Sequence, residues 1–371
     1  MNIQQKLDRY LNFLHQDPEN LNLIIDIVYC YVEMQQFEQA MSYIQQLKSI
    51  DPTSSLIPEA SIYLHQGDYQ RAHQLYKTAL DHEESALARY HVGLCCFHLE
   101  KFDEALAALK PSIEDNDTQA IMLAARILYH KKQTADALSY VNKILSHHPE
   151  HAEALAFNAL ILMDQNNLDE ATNLAQKALN YNSQLYDAQL VVLLSNPDLS
   201  ATHIDKIESL LAIQPNDSRL WYLHGYALLT HFKFNEAESS LKKATLIFPD
   251  YFDAYIALAW CQILQDKKTD AIDSCQQAIS VLPDAGEGWG GLALLHALNK
   301  EFDAAEKHLN KSNQLEPDNL MGQLAEIMVM YETEPDKARK KFDTLFSQDM
   351  RVIKKLFETY LFSQAPNNQV H

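Results

Sequence analysis

The sequence predicts an all-α chain, a solenoid built from repeated helix hairpins, and three observations carry that prediction. Glycine is scarce, 8 in 371 residues, against a usual share of about 7%, too few for the turns of an extensive β-sheet protein. The segments FEQA, YQRA, FDEA, TADA, LDEA, FNEA, KTDA and FDAA align on Ala40, Ala72, Ala105, Ala137, Ala171, Ala237, Ala271 and Ala305. Their spacings are 32, 33, 32, 34, 66, 34 and 34, the 66 being two periods, with Ala338 following after 33. Such a period without strand signals is the length of one helix–turn–helix unit. Third, Pro52, Pro149, Pro249, Pro283 and Pro317 all stand 12 residues past an aligned alanine. Proline cannot continue a helix and pushes its predecessor out of the α region, so each hairpin closes at a fixed point.

The remaining fixed positions read as a packing code. Sixteen residues before the alanine stands a bulky group: Ile24, Leu155, Trp221, Tyr255, Trp289. Twelve before it stands a small one: Ala60, Gly93, Ala125, Ala159, Gly225, Ala259, Ala293. Two antiparallel helices approach closely only where facing positions are small, and large groups then wedge between neighbouring pairs. These residues resemble the tetratricopeptide repeat. The seventh unit fits it best, with Trp221, Gly225, Phe234, Ala237, Ala244 and Pro249 in place. The resemblance covers about residues 1–345. It implies a right-handed superhelical solenoid of about ten tetratricopeptide hairpins with N- and C-terminal capping helices. Single positions depart from the pattern: Glu84 replaces a proline in the second unit, and His203 an alanine in the sixth.

Taken in order, residues 1–17 read as a capping helix with Ile3, Leu7, Tyr10, Leu11 and Leu14 on one face and Pro18 as its stop. Residues 18–183 hold five repeats. Residues 184–217 are a degenerate sixth, with NPDLS at 196–200, either a hinge or a rigidly packed irregular repeat. Residues 218–345 hold four more. Residues 346–362 form a C-terminal capping helix, of the kind stacked arrays need, and 363–371 a polar tail expected to be disordered.

The formal charge of −20 argues against sequence-independent nucleic-acid binding or attraction to anionic membranes, which need positive charge. No stretch approaches 18 uncharged apolar residues, so no membrane insertion is expected. The N-terminus lacks an apolar signal region, and five cysteines without paired spacing suit reduced thiols, so the expected location is cytoplasmic. Neither G-x-S-x-G, H-E-x-x-H, a Walker loop nor the kinase signatures occur, no catalytic, cofactor or metal residues are assigned, and a non-enzymatic role follows.

The candidate surface consists of inner-face positions of the first helices: Tyr90, Leu94, Phe97, Met122, Tyr129, Leu160, Met163, Tyr222, Tyr226, Ile256 and Trp260. Part of this set is inter-repeat core. The rest would line an apolar, aromatic groove for an extended segment or an amphipathic helix. GEGWGG at 286–291 carries half the glycines of the chain. It fits a dinucleotide fingerprint poorly, because a helix precedes it and Trp289 occupies the tryptophan position. Gly290 and Gly291 read either as a bare backbone admitting a partner chain beside Trp260 or as tolerated glycines at a helix start. The Lys and Asn clamp by which some tetratricopeptide proteins hold a chaperone's C-terminal carboxylate is missing, since Ile25, Tyr29, Tyr222 and Tyr226 stand there. HHPEH at 147–151 reads as a solvated turn, and Cys95–Cys96 as small packing residues. Seven basic residues between Lys337 and Lys355 read as a solvated helix face or as a salt-sensitive contact for self-association.

The expected function is a protein-interaction scaffold or chaperone-like adaptor that takes an apolar or basic polypeptide segment in its groove. A secretion chaperone for a hydrophobic client and a peptide-sensing regulator are the alternatives.

Overall fold

The computed structural model describes residues 2–196 and 201–346. These form 21 α-helices and one 3-10 turn, with no strand among the described residues. Two compact halves divide between Val192 and Leu193.

In the first half, α1 (Ile3–Leu14) is followed by hairpins α2 (Leu21–Glu33) with α3 (Phe37–Ile50), and α4 (Leu56–His65) with α5 (Tyr69–His82). Next come α6 (Ala86–His98) with α7 (Phe102–Glu114), α8 (Thr118–His130) with α9 (Thr134–His147), and α10 (Ala152–Asp164) with α11 (Leu168–Tyr181). The division falls within α12 (Tyr186–Leu194). The second half holds α13 (Ala201–Ile213), then α14 (Ser218–Thr230) with α15 (Phe234–Ile247), and α16 (Phe252–Leu264) with α17 (Lys268–Val281). It continues with α18 (Gly286–Leu298) with α19 (Phe302–Leu315), and α20 (Leu320–Tyr331) with α21 (Pro335–Leu345). The C-terminal capping helix and tail read from the sequence lie outside the described residues, as does most of the NPDLS segment.

Each helix starts and stops for a local reason. The Asn2 side chain accepts from the Gln4 N–H at 3.2 Å while the Gln5 side chain accepts from the Asn2 N–H at 3.3 Å, closing both ends of a cap on α1. α1 then lays Leu7 and Leu14 into a core with Ile24, Ile27, Ile44 and Leu47. Within the hairpins, Gln35, Glu100, Lys132, Asn166, Phe232, Asp266 and Lys300 each take φ between 58° and 62°, and Gly67 takes 78° at the equivalent turn. This left-handed residue lets the next N–H reach back to a carbonyl of the preceding helix: Lys101 to Cys96 at 2.8 Å, Lys267 to Gln262 at 2.9 Å. The same tight turn therefore folds eight of these hairpins, seven times on a side chain that adopts this conformation less readily than glycine, while the α20–α21 connection does without it.

The packing code has a direct structural meaning. A Cβ added to Gly93 would lie 2.7 Å from Leu109 Cγ, and one added to Gly225 would lie 2.6 Å from Leu241 Cγ. The small residue on the first helix thus seats a leucine of the second. The aligned alanines at Ala40, Ala72, Ala105, Ala137, Ala171, Ala237, Ala271, Ala305 and Ala338 are all fully buried. The wedge tryptophans do more than fill space, since Trp221 Nε1 donates to the Pro215 carbonyl at 2.8 Å and Trp289 Nε1 to the Pro283 carbonyl at 3.0 Å. Each ties a first helix to the proline turn before it.

Candidate partner-binding surface

The first helices present the candidate positions, and the structure sorts them by exposure. Tyr90, Leu94 and Phe97 on α6 are half-buried and rest on one core that includes Cys95, Cys96 and Leu109. Tyr129 and Met163 are half-buried; Tyr129 meets Phe157 edge-on at 5.5 Å, and its hydroxyl donates to Asp164. In the second half Tyr222 is half-buried and Tyr226 exposed, their rings stacked at 6.0 Å. Ile256 and Trp260 are half-buried against the core of the last repeats.

Four candidates face inward. Met122 and Leu160 are 5% and 3% exposed and belong to the core. Gly290 and Gly291 are buried too, which corrects the reading of a bare backbone open to a partner. A Cβ on Gly290 would lie 2.3 Å from Asn319 Oδ1, and one on Gly291 would lie 2.5 Å from Cys275 Sγ and 2.9 Å from Met321 Sδ. What approaches the bare backbone is the chain's own α20, which packs on α18 far more intimately than other adjacent first helices pack. A buried polar cluster fills the space: Asn319 caps α20 by accepting from the Gly322 N–H at 2.8 Å, and Asn319 Nδ2 donates to Ser312 Oγ at 2.8 Å. Ser312 Oγ in turn donates to the Gly286 carbonyl at 2.9 Å.

In the first half, one charged pair stands at the edge of the surface. Arg126 Nη2 donates to Asp187 at 2.7 Å, and its guanidinium lies 4.7 Å from the Phe157 ring centre. The second half differs. Tyr251, at the start of α16, lies 5.2 Å from Tyr222; the carboxylate of Asp253 on α16 acts on both rings and that of Glu287 on α18 on Tyr222. Surrounding protein atoms raise the Asp253 carboxyl above the usual carboxylate range. Burial also raises that of Glu287, and the negative charges of Glu316 and Asp253 add to the effect. Among the described residues neither Asp253 nor Glu287 has a hydrogen bond or ion pair. Arg219, the nearby cation, is held by both oxygens of Asp217, at 3.1 and 2.7 Å. Three tyrosine rings thus stand beside two carboxylates that have no hydrogen bond or ion pair. Sequence reading passed over Tyr251, Asp253 and Glu287. The signal was present in the register, because Glu153, Asp253 and Glu287 each stand 18 residues before an aligned alanine.

Other motifs resolve into structure. His151 caps α10, its Nδ1 accepting from the Ala154 N–H at 3.2 Å. All five cysteines are buried free thiols, and burial pushes those of Cys95 and Cys275 up to about 12. The basic run begins on α21 with Lys337, where Lys341 pairs with Glu326 at 2.5 Å; Arg351, Lys354 and Lys355 lie outside the described residues. No helix among the described residues is long and apolar enough to cross a membrane.

Hairpins of two antiparallel helices, most of them joined by one repeated turn and stacked on shared cores, define an all-α helical-repeat protein. Family models for the tetratricopeptide repeat match residues 22–54, 128–190 and 222–281, and that of the anaphase-promoting complex, cyclosome, subunit 3 matches residues 51–112. The chain belongs to the tetratricopeptide-repeat superfamily. It is 26% identical over 190 residues to a DnaJ homolog subfamily C member 7 homolog of Dictyostelium discoideum, a stretch of 46% of this chain and 35% of that protein. It is 26% identical over 111 residues to the protein O-mannosyl-transferase Tmtc3 of Drosophila melanogaster, 29% of this chain and 12% of that protein. The chain thus matches only about a third or less of the length of these relatives. Its fold is similar to the APC/C hetero-tetramer Cut9–Hcn1, with 15% identity, a TM-score of 0.41, and coverage of 87% of this chain and 79% of that one.

Proposed function

We propose that the second half takes a basic polypeptide segment bearing aromatic or aliphatic side chains, seated at Tyr222, Tyr226, Tyr251, Asp253 and Glu287. One observation carries this reading: two neighbouring carboxylates beside a cluster of tyrosine rings have no ion pair. A Lys or Arg side chain fits such a place twice over. Its charge relieves the repulsion between the carboxylates through charge-assisted hydrogen bonds, and its stem and cationic head pack over tyrosine rings. The half-buried Ile256 and Trp260 on α16 supply apolar contact for flanking residues. A stiff array of hairpins loses little freedom on binding, so more of the contact energy appears as affinity.

The test is fluorescence anisotropy of the full chain with labelled peptides of alternating Lys or Arg and Leu or Tyr, beside controls with Glu in place of the basic residues. The basic peptides bind, weaken as salt rises, and lose at least about tenfold in affinity to the D253N/E287Q variant. Equal binding of the acidic controls, or unchanged affinity in that variant, refutes the reading.

A further inference from the structure

We propose a zinc-class divalent-metal site at His73, Cys96 and Glu104, where α5, α6 and α7 meet. One ring nitrogen of His73, the sulfur of Cys96 and a carboxylate oxygen of Glu104 all lie within 4.8 Å of one another. Three helices contribute one ligand each, and local geometry explains the convergence. Gly93 seats Leu109, drawing α6 against α7. The left-handed Glu100 then turns the chain so that the Lys101 N–H bonds the Cys96 carbonyl at 2.8 Å, which sets Glu104 in the first turn of α7 beside Cys96. His73 follows the fully buried Ala72, the alanine that anchors α5 in the same core.

The donor set suits the ion. Thiolate, imidazole and carboxylate are zinc ligands, and three of them leave the fourth tetrahedral position to water or to a group from a partner. Bonds of about 2.0–2.3 Å place ligand atoms roughly 3.3–3.7 Å apart, so closure asks for a shift on the order of an ångström. The half-buried His73 and the exposed Glu104 can supply it by side-chain rotation, while Cys96, fully buried, stays fixed. Among the described residues none of the three side chains has a hydrogen bond or ion pair, so no side-chain bond has to break on binding. The Cys96 S–H proton leaves to solvent as the metal–sulfur bond forms, and thiolate and Glu104 together balance the two charges of the ion. The charges of Lys77 and Lys101 act on both His73 and Cys96. They favour the thiolate and oppose an uncompensated cation, which makes the Glu104 charge decisive. A bound ion would pin the second hairpin to the third.

The test is a cobalt titration of the chelator-stripped full chain. A thiolate ligand announces itself by near-ultraviolet charge transfer to cobalt, which the many histidines of this chain cannot produce. Wild type shows that band and intense four-coordinate visible absorption at one ion per chain, and one equivalent of zinc bleaches both. C95A keeps the band. C96A loses it with its helical circular dichroism intact. H73A and E104Q weaken cobalt binding at least about tenfold; both lie outside the sealed core, so they decide the matter even if C96A unfolds. Absence of the band in wild type, its survival in folded C96A, or unchanged affinity in H73A and E104Q overturns the proposal.

Discussion

Gly290→Ala is the substitution for which the structure supplies the fullest arithmetic. The added Cβ would lie 2.3 Å from Asn319 Oδ1, 2.7 Å from the Gly322 backbone nitrogen and 3.1 Å from Ser312 Oγ. None of these is a free side-chain end. Asn319 is 6% exposed and bound at both ends, and Ser312 is fully buried and bonded to the Gly286 carbonyl. Relief therefore requires α18 and α20 to move apart. Overpacking costs about 1–3 kcal/mol, and loss of the Asn319 cap costs about 1 kcal/mol. Alanine in a helix interior returns roughly 1 kcal/mol relative to glycine. The expected outcome is destabilisation by about 1–3 kcal/mol, which for a body of this size lowers the melting temperature by roughly 2–12 °C. Urea unfolding followed by circular dichroism gives the stability change, and hydrogen exchange at the amides of α18 and α20 locates it. A variant as stable as wild type, with exchange unchanged there, refutes the account of these glycines as the seat of α20. Had Gly290 faced a partner chain, alanine would act on binding and leave unfolding alone.

Glu238 couples the hydrogen-bonded network on α15 to pH. Burial on its own would raise this carboxyl, but hydrogen bonds from Lys242, Lys267 and Gln265 prevail and hold it at about 2 against an ordinary 4.5. A depressed folded value means that the stabilisation is fully present above about 4.5 and is lost as pH falls through about 2. E238Q is expected to be less stable than wild type by about 1–3 kcal/mol at pH 7, the partly exposed lysines tempering the figure, with the gap closing on acidification in parallel denaturation curves. A gap that is constant with pH contradicts the linkage. At the hairpin turns, E100G and K132G each relieve a left-handed residue with no Cβ-compatible gain. Each is expected to raise stability by about 0.5–1 kcal/mol, read from urea midpoints; a lowered midpoint contradicts it.

The hairpin architecture was legible because it is written as periodicity. Buried alanines at a spacing of 32–34 and prolines 12 residues later are local demands, repeated until chance is no explanation. Leu7 and Leu14 of α1 could be placed on a buried face for the same reason. The candidate surface was legible in part. First-helix positions such as Tyr90, Tyr222 and Trp260 could be named from register, but the register does not say which of them a neighbouring helix covers, and Met122 and Leu160 proved to be core.

Sequence alone thus determined the fold class, the length of the repeat and the hairpin boundaries, since each rests on steric rules acting within about one repeat. Tertiary structure decided what lies across from each position. It turned Gly290 and Gly291 from a partner surface into the seat of α20, and showed Asp253 and Glu287 to be charges without a counterion. It also gathered His73, Cys96 and Glu104 from three helices. Those are facts of distance between residues far apart in the chain, and helix packing, unlike helix periodicity, has no single-residue signature.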